Sequence, residues 1–119
     1  MSVYIDRARA ALESLSARDI VECYAERFVF EDPQANERIT ERQALAAYFQ
    51  ALFALSGVRF TNICAFEAER WAAVEWTWHG RTRSGEAFAI RGASVMELEG
   101  GKIARETIYY DASPLAKDA

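Results

Sequence analysis

The hydrophobic periodicity changes character at Gly57, and few folds accommodate what lies on either side of it. Before it, apolar residues recur at helical spacing. Residues 3–15 carry Ile5, Ala8, Leu12 and Leu15 among Asp6, Arg7, Arg9 and Glu13, the pattern of an amphipathic helix. Ser16-x-x-Asp19 reads as a capping box opening a second short helix with Ile20, Val21 and Tyr24. A strand over Phe28–Asp32 and a loop over Gln34–Ile39 follow. Thr40-x-x-Gln43 is expected to cap a third helix running to about Leu55. Its apolar face (Leu45, Tyr48, Phe49, Leu52, Phe53) is wide and aromatic, suited to covering something large.

After Gly57 the pattern alternates. Strands are expected over Val58–Glu69, with Val58, Phe60, Cys64 and Phe66 on one side, and over Trp71–Arg81, Ala87–Glu99 and Lys102–Asp111. Ser84-Gly85 and Gly100-Gly101 supply tight turns. Helices followed by long antiparallel strands make an α+β chain, in which the helices cover one face of a curved sheet and enclose a cone-shaped core. Gly92, inside a strand, suits a bend or bulge.

At 119 residues the chain has room for one real core, and residues 1–119 read as a single domain. A net charge of −4 with mixed signs lacks the basic face of a nucleic-acid footprint. No apolar run reaches membrane-spanning length, and the N-terminus has neither the basic nor the apolar region of a signal peptide. Cys23 and Cys64 lie outside metal-ligand spacing and sit in apolar-patterned segments. They read as two reduced, buried thiols of a cytoplasmic protein, a single disulfide being the alternative.

Chemistry points first to Phe28-Val29-Phe30-Glu31-Asp32-Pro33. In an extended chain Phe28, Phe30 and Asp32 share one face. Pro33 ends the strand, since it offers no N–H to a ladder. A carboxylate beside two Phe rings lies either at the rim of the core or inside a pocket. In an apolar pocket the charged form of such a group is disfavoured, which suits it to accepting a proton.

With Phe30-Glu31-Asp32-Pro33 ahead of the covering helix and Gly101-Lys102-Ile103…Tyr109-Tyr110-Asp111 in the last strand, the chain resembles the NTF2-like superfamily, in particular its ketosteroid-isomerase-like and SnoaL-like (polyketide-cyclase-like) branches. The resemblance covers nearly the whole chain and implies the NTF2-like cone, N-terminal helices packed on a long, strongly curved antiparallel sheet. It does not imply one reaction, because this fold carries isomerases, cyclases, dehydratases, epoxide hydrolases and non-catalytic modules. Asp32 falls where the ketosteroid isomerases keep their proton-shuttling aspartate. The positions matching their oxyanion donors are Ala8 and Ser94, and losing a principal donor costs ~2.7–4 kcal/mol. The Asp-Arg-Asp set of the limonene-epoxide-hydrolase-like branch would fall near Thr77, Glu75 and Ile108, and the histidine and aspartate of the SnoaL-type cyclases near Ser94 and Ile108. Neither set is present.

The remaining question is which side of Trp71–Arg81 faces inward. Val74, Trp76 and Trp78 share one face, and Glu75, Thr77 and His79 the other. A two-residue Ser84-Gly85 turn pairs Glu75, Thr77 and His79 with Ser94, Gly92 and Ile90, and with the epoxide-hydrolase comparison favours polar-inward. Hydrophobicity argues the reverse. On the polar-inward reading, Asp32 and Glu75 are the expected catalytic pair. Tyr24, Phe28, Phe30, Tyr48, Phe49, Phe53, Thr77, His79, Ser94, Glu106 and Tyr110 are the expected binding residues, with no metal and no cofactor. Trp76, Trp78 and Val95 then form an outer apolar patch, through which the resemblance implies a homodimer. The expected ligand is a small, largely apolar molecule, acted on by a cofactor-independent isomerase or lyase with Asp32 as proton acceptor. The alternative is a non-catalytic ligand-binding or dimerisation module.

Overall fold

The computed structural model describes residues 2–116, apart from the side chain of residue 116. Three helices, α1 (Val3–Ser14), α2 (Ala17–Val21) and α3 (Arg42–Phe53), pack on the sheet formed by β1 (Tyr24–Asp32), β2 (Glu37–Ile39), β3 (Arg59–Ala68), β4 (Trp71–Arg81), β5 (Ala87–Glu99) and β6 (Lys102–Tyr110). A 3-10 turn at Pro33–Ala35 follows β1, and a single-turn helix, α4 (Ser113–Ala116), follows β6. The sheet order is β2-β1-β6-β5-β4-β3. Only the β1–β6 pairing is parallel, with Phe30 beside Glu106 and Glu31 beside Thr107. This is the expected α+β cone.

Capping follows the sequence in part. Ser2 and Ser16 accept backbone N–H groups from Tyr4 and Asp19 at the starts of α1 and α2. The expected Thr40–Gln43 box is not used: Glu41 is the N-cap of α3 and makes no side-chain cap bond. Arg42 anchors this end instead, donating to the Val21, Tyr24 and Ala25 carbonyls with its guanidinium over the Phe28 ring. Tyr24 belongs to β1 rather than to α2, and part of the expected 34–39 loop is the short strand β2.

Two irregularities overturn expected faces. Asn62, at φ 52°, sits in a register shift between Thr61 and Cys64, in a left-handed conformation that asparagine tolerates better than most residues. Alternation restarts beyond it on the opposite phase. Phe60 is buried, whereas Cys64 and Phe66 are exposed rather than sharing its face. The expectation of two buried thiols therefore fails for Cys64; both cysteines are free.

The second irregularity is the β4–β5 hairpin. Arg81 faces Ala87, Thr82 N–H donates to the Glu86 carbonyl, and Gly85 takes φ 88°, so the loop holds three residues and not two. Glu75 consequently pairs with Ala93, Trp76 with Gly92 and Thr77 with Arg91, one residue away from the expected register. Since side chains alternate, that single step exchanges the faces. Val74, Trp76 and Trp78 look into the cone; Glu75, Thr77 and His79 look away from it. The hydrophobic argument was the correct one, and Trp76 and Trp78 do not form an outer patch. Gly92 is where the Trp76 indole lies against β5: a β-carbon there would overlap the ring's Cη2 and stand 2.6 Å from its Cζ3.

Candidate functional site

The helices do not fill the cone. A cavity of about 690 Å³ remains between α1, α3 and the inner sheet face, within the usual range for ligand pockets. Its walls are mostly apolar. A run of touching aromatic rings passes from Phe30 and Tyr48 through Phe49, Phe53, Phe60 and Trp76 to Tyr110 and Trp78, with centroids 4.8–6.3 Å apart. Such rings offer large flat contact area at little conformational cost.

Two buried carboxyl groups interrupt the apolar wall, and exposed Arg9 and Glu37 stand at its edge. Asp32 closes β1 and is 3% exposed. Its Oδ1 accepts the Ala35 N–H at 3.3 Å, which caps the 3-10 turn begun by Pro33. Its Oδ2 accepts the hydroxyls of Tyr48 on α3 at 3.2 Å and Tyr110 on β6 at 3.1 Å. A carboxylate has about four acceptor sites, so among the described residues three are taken and one, on Oδ1, is open. Burial, and then the charge of Asp32, push both tyrosine hydroxyls well above their ordinary pKa, keeping them as donors.

Glu106 lies on the same face of the neighbouring strand and is 6% exposed. Tyr24 donates a hydrogen bond to its Oε1, and Ser94 stands near enough to favour its charged form. Ser94 in turn accepts the Trp76 indole N–H at 3.1 Å. Burial raises the Glu106 carboxyl above its usual range, with Tyr24 and Ser94 opposing that rise. Among the described residues no ion pair reaches either acid; Arg9–Glu13 and Arg18–Glu22 each join neighbours one helical turn apart.

Asp32, Tyr24, Phe30, Tyr48, Phe49, Ser94, Glu106 and Tyr110 of the expected site thus line one cavity. Phe28 and Phe53 pack behind it, in the core and against the Phe49 and Phe60 rings. Glu75, Thr77 and His79 are excluded by the hairpin register. Glu75 is exposed, Thr77 is buried beneath the outer side, and His79 bonds Thr61 Oγ1 at 2.7 Å, its imidazole held below the usual range by partial burial and then by Arg59. The sequence reading missed Val74, Trp76, Trp78, Met96 and Ile108 as cavity wall. The plain hydrophobicity of the Val74-Trp76-Trp78 face was the signal that finds the first three. No cluster of three or more His, Cys, Asp or Glu able to hold a metal ion occurs among the described residues, and none of their helices is long and apolar enough to cross a membrane.

Solved structures share this architecture. A hypothetical protein of ketosteroid isomerase-like fold from Catenulispora acidiphila DSM 44928, in complex with trimethylamine, superposes with a TM-score of 0.83 at 18% identity, covering 98% of this chain and 91% of that one. A proposed polyketide cyclase from Pseudomonas putida KT2440 gives 0.83 at 21% identity, covering 99% and 97%. A proposed isomerase from Bacillus subtilis gives 0.77 at 20%, covering 97% and 88%. Identities this low carry the fold alone. No curated protein matches the chain. Residues 5–106, which span α1 through the Glu106 position, match the SnoaL-like domain, and the chain belongs to that family.

Proposed function

We propose that the protein binds a small, largely apolar cyclic molecule in the cone and acts on it as a cofactor-independent isomerase or lyase, with Asp32 as proton acceptor. The observation that carries this reading is the placement of Asp32, a buried carboxylate held by Tyr48, Tyr110 and the Ala35 N–H with one acceptor position open in an aromatic cavity. A base so held needs no reorganisation before it takes a proton from carbon. Tyr48 and Tyr110 position it, and the ring belt orients a flat substrate.

The test is hydrogen–deuterium exchange at the carbon beside the carbonyl of small cyclic ketones in D2O, followed by NMR. The wild-type chain accelerates exchange. Asp32→Asn, nearly isosteric, removes the acceleration while leaving the fold intact. Acceleration that survives Asp32→Asn refutes the catalytic role.

The occupants of the two donor positions of the ketosteroid isomerases, Ala8 and Ser94, favour a second reading, a non-catalytic ligand-binding module. It predicts thermal stabilisation by cyclic ketones or lactones with no exchange above background. The proposal extends to assembly. Phe66, Trp71, Val95 and Tyr109 stand exposed on the outer sheet face, an apolar patch that supports burial against a second copy of the chain.

A further inference from the structure

We infer that the ligand of the cone is an organic cation, an apolar ring compound carrying a protonated amine, with its ammonium group seated against Glu106 among the rings of Tyr24, Phe30, Phe49 and Trp76. This rests on the reading of the cone as a ligand site and narrows the ligand class; Asp32 keeps the role proposed above.

The sign of the cavity carries the argument. Its charged lining residues are Asp32, Glu106, Glu37 and Arg9. Arg9, exposed at the edge, already pairs with Glu13 at 3.7 Å. Three acids therefore face one cation that is engaged elsewhere. A cleft lined by one sign of charge with low-dielectric walls concentrates ligands of the opposite sign.

Glu106 is the deep end of that negative lining. It is nine-tenths buried, so folding has already stripped its water. Its Oε1 takes the Tyr24 hydroxyl, and among the described residues no hydrogen bond closes its Oε2. The side-chain atom sealed there without a partner is Trp78 Nε1, not Oε2, so Oε2 opens on the cavity that Glu106 lines. A buried carboxylate without a counter-charge is costly, and a cation placed against it removes that cost. Burial raises the Glu106 carboxyl, and Tyr24 and Ser94 only oppose the rise.

The rings around it suit an alkylammonium group. Phe30 is the ladder neighbour of Glu106 and shares its face. Phe49 touches both Tyr24 and Phe30, with centroids 6.3 and 5.9 Å apart. Trp76 is tied by its N–H to Ser94, which stands beside Glu106. All four rings line the cavity. Aromatic faces attract a cation most strongly where water is excluded, and they hold the apolar body of the ligand as well. A bare metal ion suits the site less, because it wants several hard oxygen ligands and the rings offer none. Asp32 lies one strand over and two residues along on the same face as Glu106, which strand spacing and rise convert to about 8 Å between β-carbons. That separation leaves room for a ring, with the amine at one acid and a reacting carbon at the other.

The probes are 2-aminotetralin, protonated near neutral pH, with tetralin and tetralin-2-carboxylate, which keep the ring system and change the charge. Binding to the full chain is followed by calorimetry and by the fluorescence of the cavity tryptophans. The wild-type chain prefers the amine to tetralin by about tenfold or more, the low end for a hydrogen bond to a charged group, and binds the carboxylate most weakly. Glu106→Gln reduces the preference for the amine to near unity. Asp32→Asn keeps most of that preference while losing deuterium exchange at cyclic ketones. An amine bound no better than tetralin by the wild-type chain, or a preference that survives Glu106→Gln, overturns the inference. Failure of the amine and tetralin alike to bind overturns the ligand-site reading beneath it. Should Glu106→Gln not fold, the Asp32→Asn chain decides, since Glu106 is then the buried carboxyl left in the cavity. The other ionisable groups facing Glu106 there are Tyr24 from β1 and Tyr48 from α3, both held neutral, with Arg9 and Glu37 at the edge. Its preference for the amine declines as pH falls and Glu106 takes its proton, while tetralin affinity stays level. A preference undiminished at pH 4.5, the ordinary value of such a carboxyl, overturns the inference.

Discussion

Replacing Gly92 by alanine puts a methyl group where the Trp76 indole already lies. The new β-carbon stands 2.6 Å from one ring carbon and 2.8 Å from the Tyr109 carbonyl oxygen. Carbon atoms rest at about 3.5–4.0 Å, so the overlap is roughly 1 Å. The Tyr109 oxygen belongs to β6, which is paired residue by residue with β5, and cannot retreat alone. The indole must move, and the free direction is into the cavity. Leaving its seat breaks the Trp76–Ser94 hydrogen bond, worth about 1 kcal/mol. The overpacking adds about 1–3 kcal/mol, for a total near 2–4 kcal/mol. Urea unfolding monitored by tryptophan fluorescence measures this directly. The midpoint falls at unchanged slope, and on the proposed function small cyclic ketones bind more weakly because the displaced ring occupies their space. A loss below about 0.5 kcal/mol, the range of an inert surface change, refutes the account of Gly92 as the seat of Trp76.

Other predictions follow from single observations. Arg42→Met removes three carbonyl partners and a ring contact at the base of α3 and lowers unfolding stability by about 2–4 kcal/mol. Asn62→Val, forced into the left-handed region at φ 52°, costs about 1–2 kcal/mol in the same assay, and Asn62→Gly costs little or nothing. Because the Glu106 carboxyl is raised in the folded state, the stability it contributes is complete below its ordinary 4.5 and is lost as pH rises through the higher folded value. Urea titrations at successive pH values therefore show the wild-type chain losing ground against Glu106→Gln as pH rises. On the proposed packing of a second copy against the outer sheet face, the wild-type chain sediments as a dimer and Val95→Lys as a monomer in sedimentation velocity.

Much of this was legible beforehand because the signals were local. Phe28, Phe30 and Asp32 alternate as a strand should, and Pro33 ends it where it must. The apolar face of α3 also reads directly from its spacing. What failed were the places where a residue count decides a phase. Whether the 82–86 turn holds two or three loop residues depends on Gly85 adopting φ 88°, which composition permits but does not require. That one residue decides whether Glu75 or Trp76 faces Asp32. The shift at Asn62 did the same to Cys64 and Phe66. Glu106 was recognised as a candidate, but its partners were not. Tyr24 reaches it from a strand that sequence assigned to a helix, 82 residues away along the chain.

That separation has a consequence for how the protein comes into being. The strand that ends in Asp32 has one lateral neighbour, β2, close behind it, whereas the other, β6, is the last strand of the sheet, joined side by side in the same direction. A growing chain leaving the ribosome therefore carries Asp32 without the Tyr110 hydroxyl and without the β6 side of its strand until residues 102–110 have been made, and contacts of such long range are slow to close. The two acids meet only in the finished molecule, so no shortened chain ending before β6 can hold a partial pocket between them.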